Sequence, residues 1–450
     1  MPDTVTSSQR ISATAGGAFL VGLLVLFVCR AVLASTIVPP WQGPDEPVHF
    51  AVAELLTVPI ANLESERVDL ESQVLASMAT YRWWEPYDLP TPVPVPSRFD
   101  QIGRLGGILF AQPLYYGVGA AFLRSTRPGD VESAYWHLRA LSVILSLVAL
   151  TLGWCGTRLL FGPSVATGAL SIAVLHPQFL LSAISVNPDV VANVLGAFMW
   201  WQVARVVKKR RRAMSLALLV VAAAAAPLVK DSIIALGAVA IAIVTAAMFV
   251  PRAERAGRRT VLLALTAVSV FGVLVLAAWL VAPEPIRELT TSWRNALNIG
   301  RPFGLAMIPQ AIAYAREAID YVWLAAGWIR IHPGEPWLWV ARLLTLIGLG
   351  SAAVLLIRPS AVRGALAIAW LFVLVQTAVV IGLGFLTFLS PQGRFLFPVI
   401  APATVLLWLG LTNATPSRLR PYAAPALVSI LAVMDITGYT MVLIPAYLPW

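Results

Sequence analysis

The chain has 450 residues, of which 59% are hydrophobic and 12% charged, and its mean hydropathy is +0.80. A soluble globular domain carries roughly twice that share of charge, so a water-soluble enzyme or binding module is excluded and a chain embedded in a bilayer is expected. The formal net charge of +10 does not point to nucleic acid, because the basic residues fall in short runs between apolar segments and so report topology. Cys29 and Cys155 lie inside apolar segments and are read as small hydrophobes, not as a disulfide framework or a metal cluster.

Apolar windows of about 20 residues, the length that crosses a hydrocarbon core of about 30 Å, predict spans near 14–37, 139–160, 164–186, 189–207, 213–229, 231–250, 261–282, 336–357, 365–389, 395–412 and 422–447. The first is too long for the apolar region of a signal peptide and lacks a small-x-small cleavage site, so it is kept as a span. A further stretch, Leu105 to Leu123, is long enough to cross but carries Gln112–Pro113 and glycines at 106, 107, 117 and 119.

Lysine and arginine in short loops mark the cytoplasmic face. With eleven spans and the N-terminus inside, the runs Lys208–Arg212, Arg252–Arg259, Arg358–Arg363 and Arg418–Arg420 all fall there. A crossing at 105–123 would put all four outside, so that stretch is read as a re-entrant or surface-lying helix. The expected architecture is an all-α transmembrane bundle of about eleven helices. Residues 38–138 form a long external loop with helices lying at the membrane surface, and residues 283–335 a second external loop. Residues 1–412 make one membrane module, 413–450 add a cytoplasmic loop and the last span, and no separate soluble domain is expected. No inverted repeat of the transporter kind is evident.

The acidic residues bear on sidedness separately. Twelve of the 22 lie in 38–138, and Glu284, Glu288, Glu317, Asp320 and Glu335 lie in the second loop, while only Asp3 and Glu254 fall inside. The working surface is therefore expected to be extracytoplasmic. The aromatic stretches Tyr81–Tyr87 and Trp323–Trp339 suit the headgroup zone, and the proline-rich Leu89–Pro96 suits an extended connector.

The strongest local signal is PPWQGPDEPVHF at 39–50, just beyond the first span. Pro47 fits the start of a helix, so Asp45 or Glu46 would cap it and His49 would follow one turn on. The functional reading is a carboxylate placed as general base at the membrane surface. Asn187 and Asp189, in SVNPD at 185–189, lie where the third span reaches the same face; a turn and helix start is the ordinary reading of that sequence. His176–Pro177 in the same span marks a kink. Lys230 stands apart from the other two lysines and faces outward beside Asp231, as an ion pair or as a phosphate contact. Gln392 and Arg394, in SPQGRFLFP, lie in a short external connection where an arginine runs against the topological tendency; a lipid phosphate suits its guanidinium. Asp435, near the middle of the last span, requires a partner or a wet interior.

Nucleotide sugars and ATP are not supplied on the external face. Group transfer there generally needs a donor delivered through the membrane, such as a polyprenyl-phosphate sugar. Lys230 and Arg394 would hold its phosphate, Asp45 with Glu46 would act on the acceptor, and His49, Asn187, Asp189 and Gln392 would orient the substrates. Phosphate is already a good leaving group, so one base suffices where glycoside hydrolysis needs two carboxylates. Asp45, Glu46 and Asp189 together are also a candidate set for a hard divalent cation, Mg2+ or Mn2+.

These pieces, with AQPLYY at 111–116, HPQFLLSAISVNPD at 176–189, Lys230, WLAAGW at 323–328 and QGRFLFP at 392–398, cover most of the chain in order. As a set they resemble a large bacterial membrane-protein family assigned to the GT-C glycosyltransferase superfamily, relatives of the oligosaccharyl-, mannosyl- and aminoarabinosyl-transferases. The resemblance implies a GT-C-like bundle in the bacterial plasma membrane, with Asp45 the catalytic carboxylate and the AQPLYY element in a surface helix. It also implies transfer of a hexose or pentose from a polyprenyl-phosphate donor to an envelope glycan, lipid or protein. A single proline follows Gln112 where relatives often carry two. The alternatives are a flippase for a lipid-linked glycan and a non-catalytic protein of envelope assembly. Sidedness is tested by labelling single cysteines with a membrane-impermeant maleimide in intact cells: position 45 should react and position 210 should react only after lysis, and the reverse pattern overturns the topology.

Overall fold

The computed structural model describes residues 7–87, 89–102, 113–249, 308–383 and 392–448. The expected span at 261–282, residues 105–112 of the surface helix and residues 283–307 of the second loop lie outside the described residues. Among those described, the protein is helical apart from turns and one isolated bridge between Ala326 and Ile331. Eight helices are long and apolar enough to cross a membrane, and a bent pair makes a ninth candidate.

Helix α1 (Ser7–Ile37) leads into three helices before the next span: α2 (Glu46–Leu55), α3 (Leu63–Thr80) and α4 (Pro113–Thr126). Within the described residues α4 packs on α2 and on the following span. That span, α5 (Val131–Phe161), is capped by Asp130, whose carboxylate accepts from the Ser133 N–H at 2.7 Å. Gly162, at φ 90°, and Pro163 end it and start α6 (Pro163–Leu175).

The third expected span is broken where the sequence kink falls. His176 caps α7 (Pro177–Ala183) by accepting the Phe179 N–H on Nδ1 at 3.3 Å, and α6 and α7 meet at 70°. There follow α8 (Asp189–Val207), α9 (Arg212–Val229) and α10 (Ile234–Phe249), the last an apolar helix shorter than the crossing candidates. Helix α11 (Ile308–Trp323) precedes α12 (Glu335–Ile357) and α13 (Arg363–Thr377), which continues as a wider turn over Ala378–Leu383. A tight helical segment, Gly393–Val399, leads into α14 (Ile400–Ala414), and α15 (Arg420–Gly438) runs through a second wide turn, Tyr439–Leu443, into α16 (Ile444–Tyr447).

Short connections reverse the chain between α8 and α9, α9 and α10, α12 and α13, and α14 and α15. Ion pairs among Asp45, Asp189, Lys230 and Arg394 gather the loop after α1, the start of α8, the end of α9 and the start of Gly393–Val399 at one end of the bundle. The basic runs Lys208–Arg212, Arg358–Arg363 and Arg418–Arg420 share the other. The centre is made by α5 against α8 and α12 against α14, with α6 beside α14. Gly196 lets α8 approach Pro398, whose carbonyl oxygen would lie 2.1 Å from a Cβ there.

Asp435 has its partner: Arg30 of α1 grips both carboxylate oxygens and also donates to the Val174 carbonyl, freed where α6 breaks. The first and last spans are thereby joined, and both side chains are about nine-tenths buried. The aromatic stretches pack inward more than expected. Trp83, Trp84 and Trp323 are buried, and Trp83 and Trp328 donate to the Trp41 carbonyl at 3.0 and 3.2 Å, while Trp339 is exposed. Removing one member of a buried pair leaves a charge uncompensated, at a cost of roughly 3–5 kcal/mol. Asp435→Leu should therefore destabilise the protein strongly, and Arg30→Met with Asp435→Leu should recover most of the loss, read as thermal unfolding in detergent; a double variant no better than the single one refutes the pairing.

Candidate functional site

The loop between α1 and α2 is fixed by groups that sequence reasoning did not single out. Arg139 of α5 is 2% exposed and donates to the carbonyls of Val38 at 3.0 Å, Pro39 at 3.4 Å and Ile184. It ties the exit of α1 to the end of α7. Trp41, fully buried at φ 70°, receives the indoles described above through its carbonyl and donates its own to Ser77 at 3.0 Å.

The two acidic neighbours in this loop have opposite environments. Glu46 is fully buried. One of its oxygens accepts from the Val186 N–H at 2.8 Å and the Tyr135 hydroxyl at 3.0 Å, and the other from the Gly43 N–H at 2.7 Å. Gly43 cannot be larger, since a Cβ would lie 2.7 Å from the Glu46 carboxyl carbon and 2.8 Å from Ser185 Oγ. Glu46 thus fastens the α1–α2 loop to the α7–α8 turn.

Asp45 stands at the cap position of α2, at φ 62° and ψ 8°, without a side-chain capping bond. Its side chain is 45% exposed and lies 3.6 Å from Arg394. The expected cap is therefore not what its carboxylate does. Aspartate adopts this left-handed backbone at lower cost than most residues other than glycine.

Behind Asp45 lies a buried ionic set. Asp189, at the first turn of α8, contacts Lys230 through one carboxylate oxygen and Arg394 Nε through the other at 3.2 Å. The Lys230 ammonium lies 3.9 Å from the centroid of the Phe395 ring, a cation–π contact. Arg394 also donates to Gln392 Oε1 at 2.8 Å and reaches the Pro44 carbonyl at 3.4 Å. Gly393 lets this segment pack against the end of α11: a Cβ there would lie 2.1 Å from the Val322 nitrogen. Burial lowers the Lys230 ammonium below the ordinary lysine range, with Arg394 adding to the effect and Asp189 opposing it.

His49 Nδ1 lies 2.8 Å from the Tyr116 hydroxyl of α4. Burial, then the charges of Arg394 and Lys230, hold the imidazole down to about 3, while burial and the carboxylates of Asp189 and Asp45 push the phenol up. Both are neutral near pH 7, and the imidazole tautomer decides which of them donates.

The structure therefore brings Asp45, His49, Asp189, Lys230, Gln392 and Arg394 together and places Glu46 and Asn187 in the scaffold. Asn187 donates to the carbonyls of Ser182 and Ser185 at 3.1 and 3.2 Å and accepts from the Asp189 N–H at 2.9 Å. The carboxylates of Asp45, Glu46 and Asp189 do not converge on one point as a hard-cation set: Glu46 faces N–H and O–H donors and Asp189 faces two cations. Among the described residues no group of three metal-ligating side chains is assembled.

Compared with protein-family models, curated proteins and solved structures, the chain matches none.

The depressed imidazole has a pH consequence. The unfolded histidine takes up a proton near pH 6.5 and the folded ring only near 3, so its contribution to stability is present above about 6.5 and is lost as pH falls through that interval. In NMR spectra with labelled histidine, the resonance assigned by His49→Gln should show no titration midpoint between pH 5 and 8. A midpoint near 6.5 would contradict the buried, cation-flanked site.

Proposed function

We propose that the chain is a membrane glycosyltransferase of the GT-C-like class, moving a sugar from a polyprenyl-phosphate donor to an envelope glycan, lipid or protein on the extracytoplasmic face of the bacterial plasma membrane. The observation that carries the reading is the half-exposed Asp45 carboxylate in contact with Arg394, whose other contacts lead to the buried Asp189 and Lys230.

The charges support a phosphodiester. Arg394, Lys230 and Asp189 sum to +1, and Asp45 brings the set to zero. A donor phosphodiester carries one negative charge and can replace the Asp45 carboxylate on Arg394, in the planar donor geometry that guanidinium offers phosphate. Asp45 is then free to act on the acceptor. The anomeric C–O bond to phosphate breaks with its electron pair leaving on the phosphate, the acceptor oxygen bonds to the anomeric carbon, and the acceptor proton passes to Asp45. His49 and Tyr116, both neutral, supply hydrogen-bonding groups beside this point without adding charge.

General-base catalysis contributes about 10²–10⁴-fold, so Asp45→Asn should lower transfer in a reconstituted assay by that factor, with insertion and binding of the lipid donor retained. Full transfer by the variant sinks the mechanism. Translocation of a lipid-linked glycan without cleavage of the sugar–phosphate bond, read in the same vesicles, supports the flippase alternative.

A further inference from the structure

A small cleft lies directly beside Arg394, between the loop after α1, helix α7 and the backbone of residues 325–327. Its polar lining comes from Gln42, Gln178, Ser182, Ser185, Tyr447 and Arg394. Arg394 is thus shared between the ionic set and the cleft, and the other five side chains are neutral hydrogen-bonding groups. No aspartate or glutamate is among the described residues that line it.

The lining holds a group that calls for a ligand. Ser182 is 3% exposed, and its hydroxyl has no hydrogen-bond partner among the described residues. A buried hydroxyl left unpaired costs stability, and native structures keep such groups where something polar completes them. Gln178 is held in place, its carboxamide oxygen accepting from the Ala325 N–H at 2.7 Å. The small-residue backbone Ala325–Gly327 also lines the cleft.

We infer that this cleft is the subsite for the sugar of the donor and that it takes a single uncharged ring, with the attached phosphate on Arg394. The assignment rests on the transferase reading above and adds the class of sugar. The enclosed space is small, with room for one sugar ring at most and none for a preassembled oligosaccharide. An amino sugar would bring an ammonium group to a lining without a carboxylate. A uronic acid would compete with the phosphate for the one guanidinium. Neutral hydroxyls match the carboxamides and hydroxyls present.

The test uses the full chain in nanodiscs and compares its affinity for bare polyprenyl phosphate with that for polyprenyl phosphates carrying a neutral hexose, an amino sugar, a uronic acid or a neutral disaccharide. The hexose should strengthen binding about tenfold or more over the bare lipid, the scale of a few well-placed hydrogen bonds, and the other three should add little. Ser182→Val and Gln178→Leu should each remove most of the hexose gain while leaving affinity for the bare lipid phosphate in place. That retained affinity also shows the variants to be folded; if Ser182→Val loses it, Ser182→Ala, which deletes only the hydroxyl, makes the same comparison. Equal or tighter binding of the amino-sugar or uronic-acid lipid overturns the inference, as does a hexose gain that survives these substitutions. If bare polyprenyl phosphate binds and no sugar adds to it, the cleft assignment fails and the transferase reading stands; if neither bare nor glycosylated lipid binds, both fail.

Discussion

The arrangement at this end of the bundle depends on a buried carboxylate, Asp189, placed between Lys230 and Arg394. Its three members come from the start of α8, the end of α9 and the segment before α14. Taking such charges out of water costs several kcal/mol per ion, of which mutual attraction returns a part, so the set is better understood as a specification than as a source of net stability. Asp189 is tolerable at its depth only when both cations are present, and both reach it only when three helix ends meet. The interaction thereby selects one packing of the bundle.

Around it the fold uses backbone groups as attachment points. Arg139 collects carbonyls from the exits of α1 and α7, Glu46 collects amides from both sides of the same junction, and the Trp41 carbonyl receives indoles from α3's neighbourhood and from the second loop. Each of these groups satisfies main-chain atoms that irregular segments would otherwise bury unpaired. What remains unfastened is Asp45, a residue away from Glu46 and opposite to it in exposure. Adjacent carboxylates in one motif thus divide into one that holds the loop and one that is presented by it.

Much of this was legible in the sequence, and the limits have physical causes. Apolar windows fell on all eight of the described helices long enough to cross, because bilayer thickness sets their length. The helix at 131–161, however, begins eight residues before its expected span, the expected span 164–186 is broken, and the helix in 231–250 is shorter than the crossing candidates. Pro39–Phe50, Lys230 and Gln392–Arg394 stood out as polar groups at span ends. That Glu46 is buried and Asp45 presented was not legible, since both precede Pro47 and their separation turns on a left-handed backbone angle that composition does not announce. The inward packing of Trp83 and Trp328 was misread because an indole suits an interface and a buried carbonyl equally well. Arg30 and Arg139 carried a usable signal, an arginine within an apolar window, but their partners are distant in the chain: Asp435 in one case, backbone carbonyls in the other.

The left-handed conformation of Asp45 bears on what can occupy that position. Aspartate, asparagine and glycine enter this region at low cost, whereas longer and β-branched side chains resist it. A glutamate there would have to move the backbone to keep its charge, and the Arg394 contact to the adjacent Pro44 carbonyl opposes such a movement. The geometry therefore restricts an acidic group at this point to the shortest one available, so the reach of the carboxylate is set by the main chain and not by its own torsions.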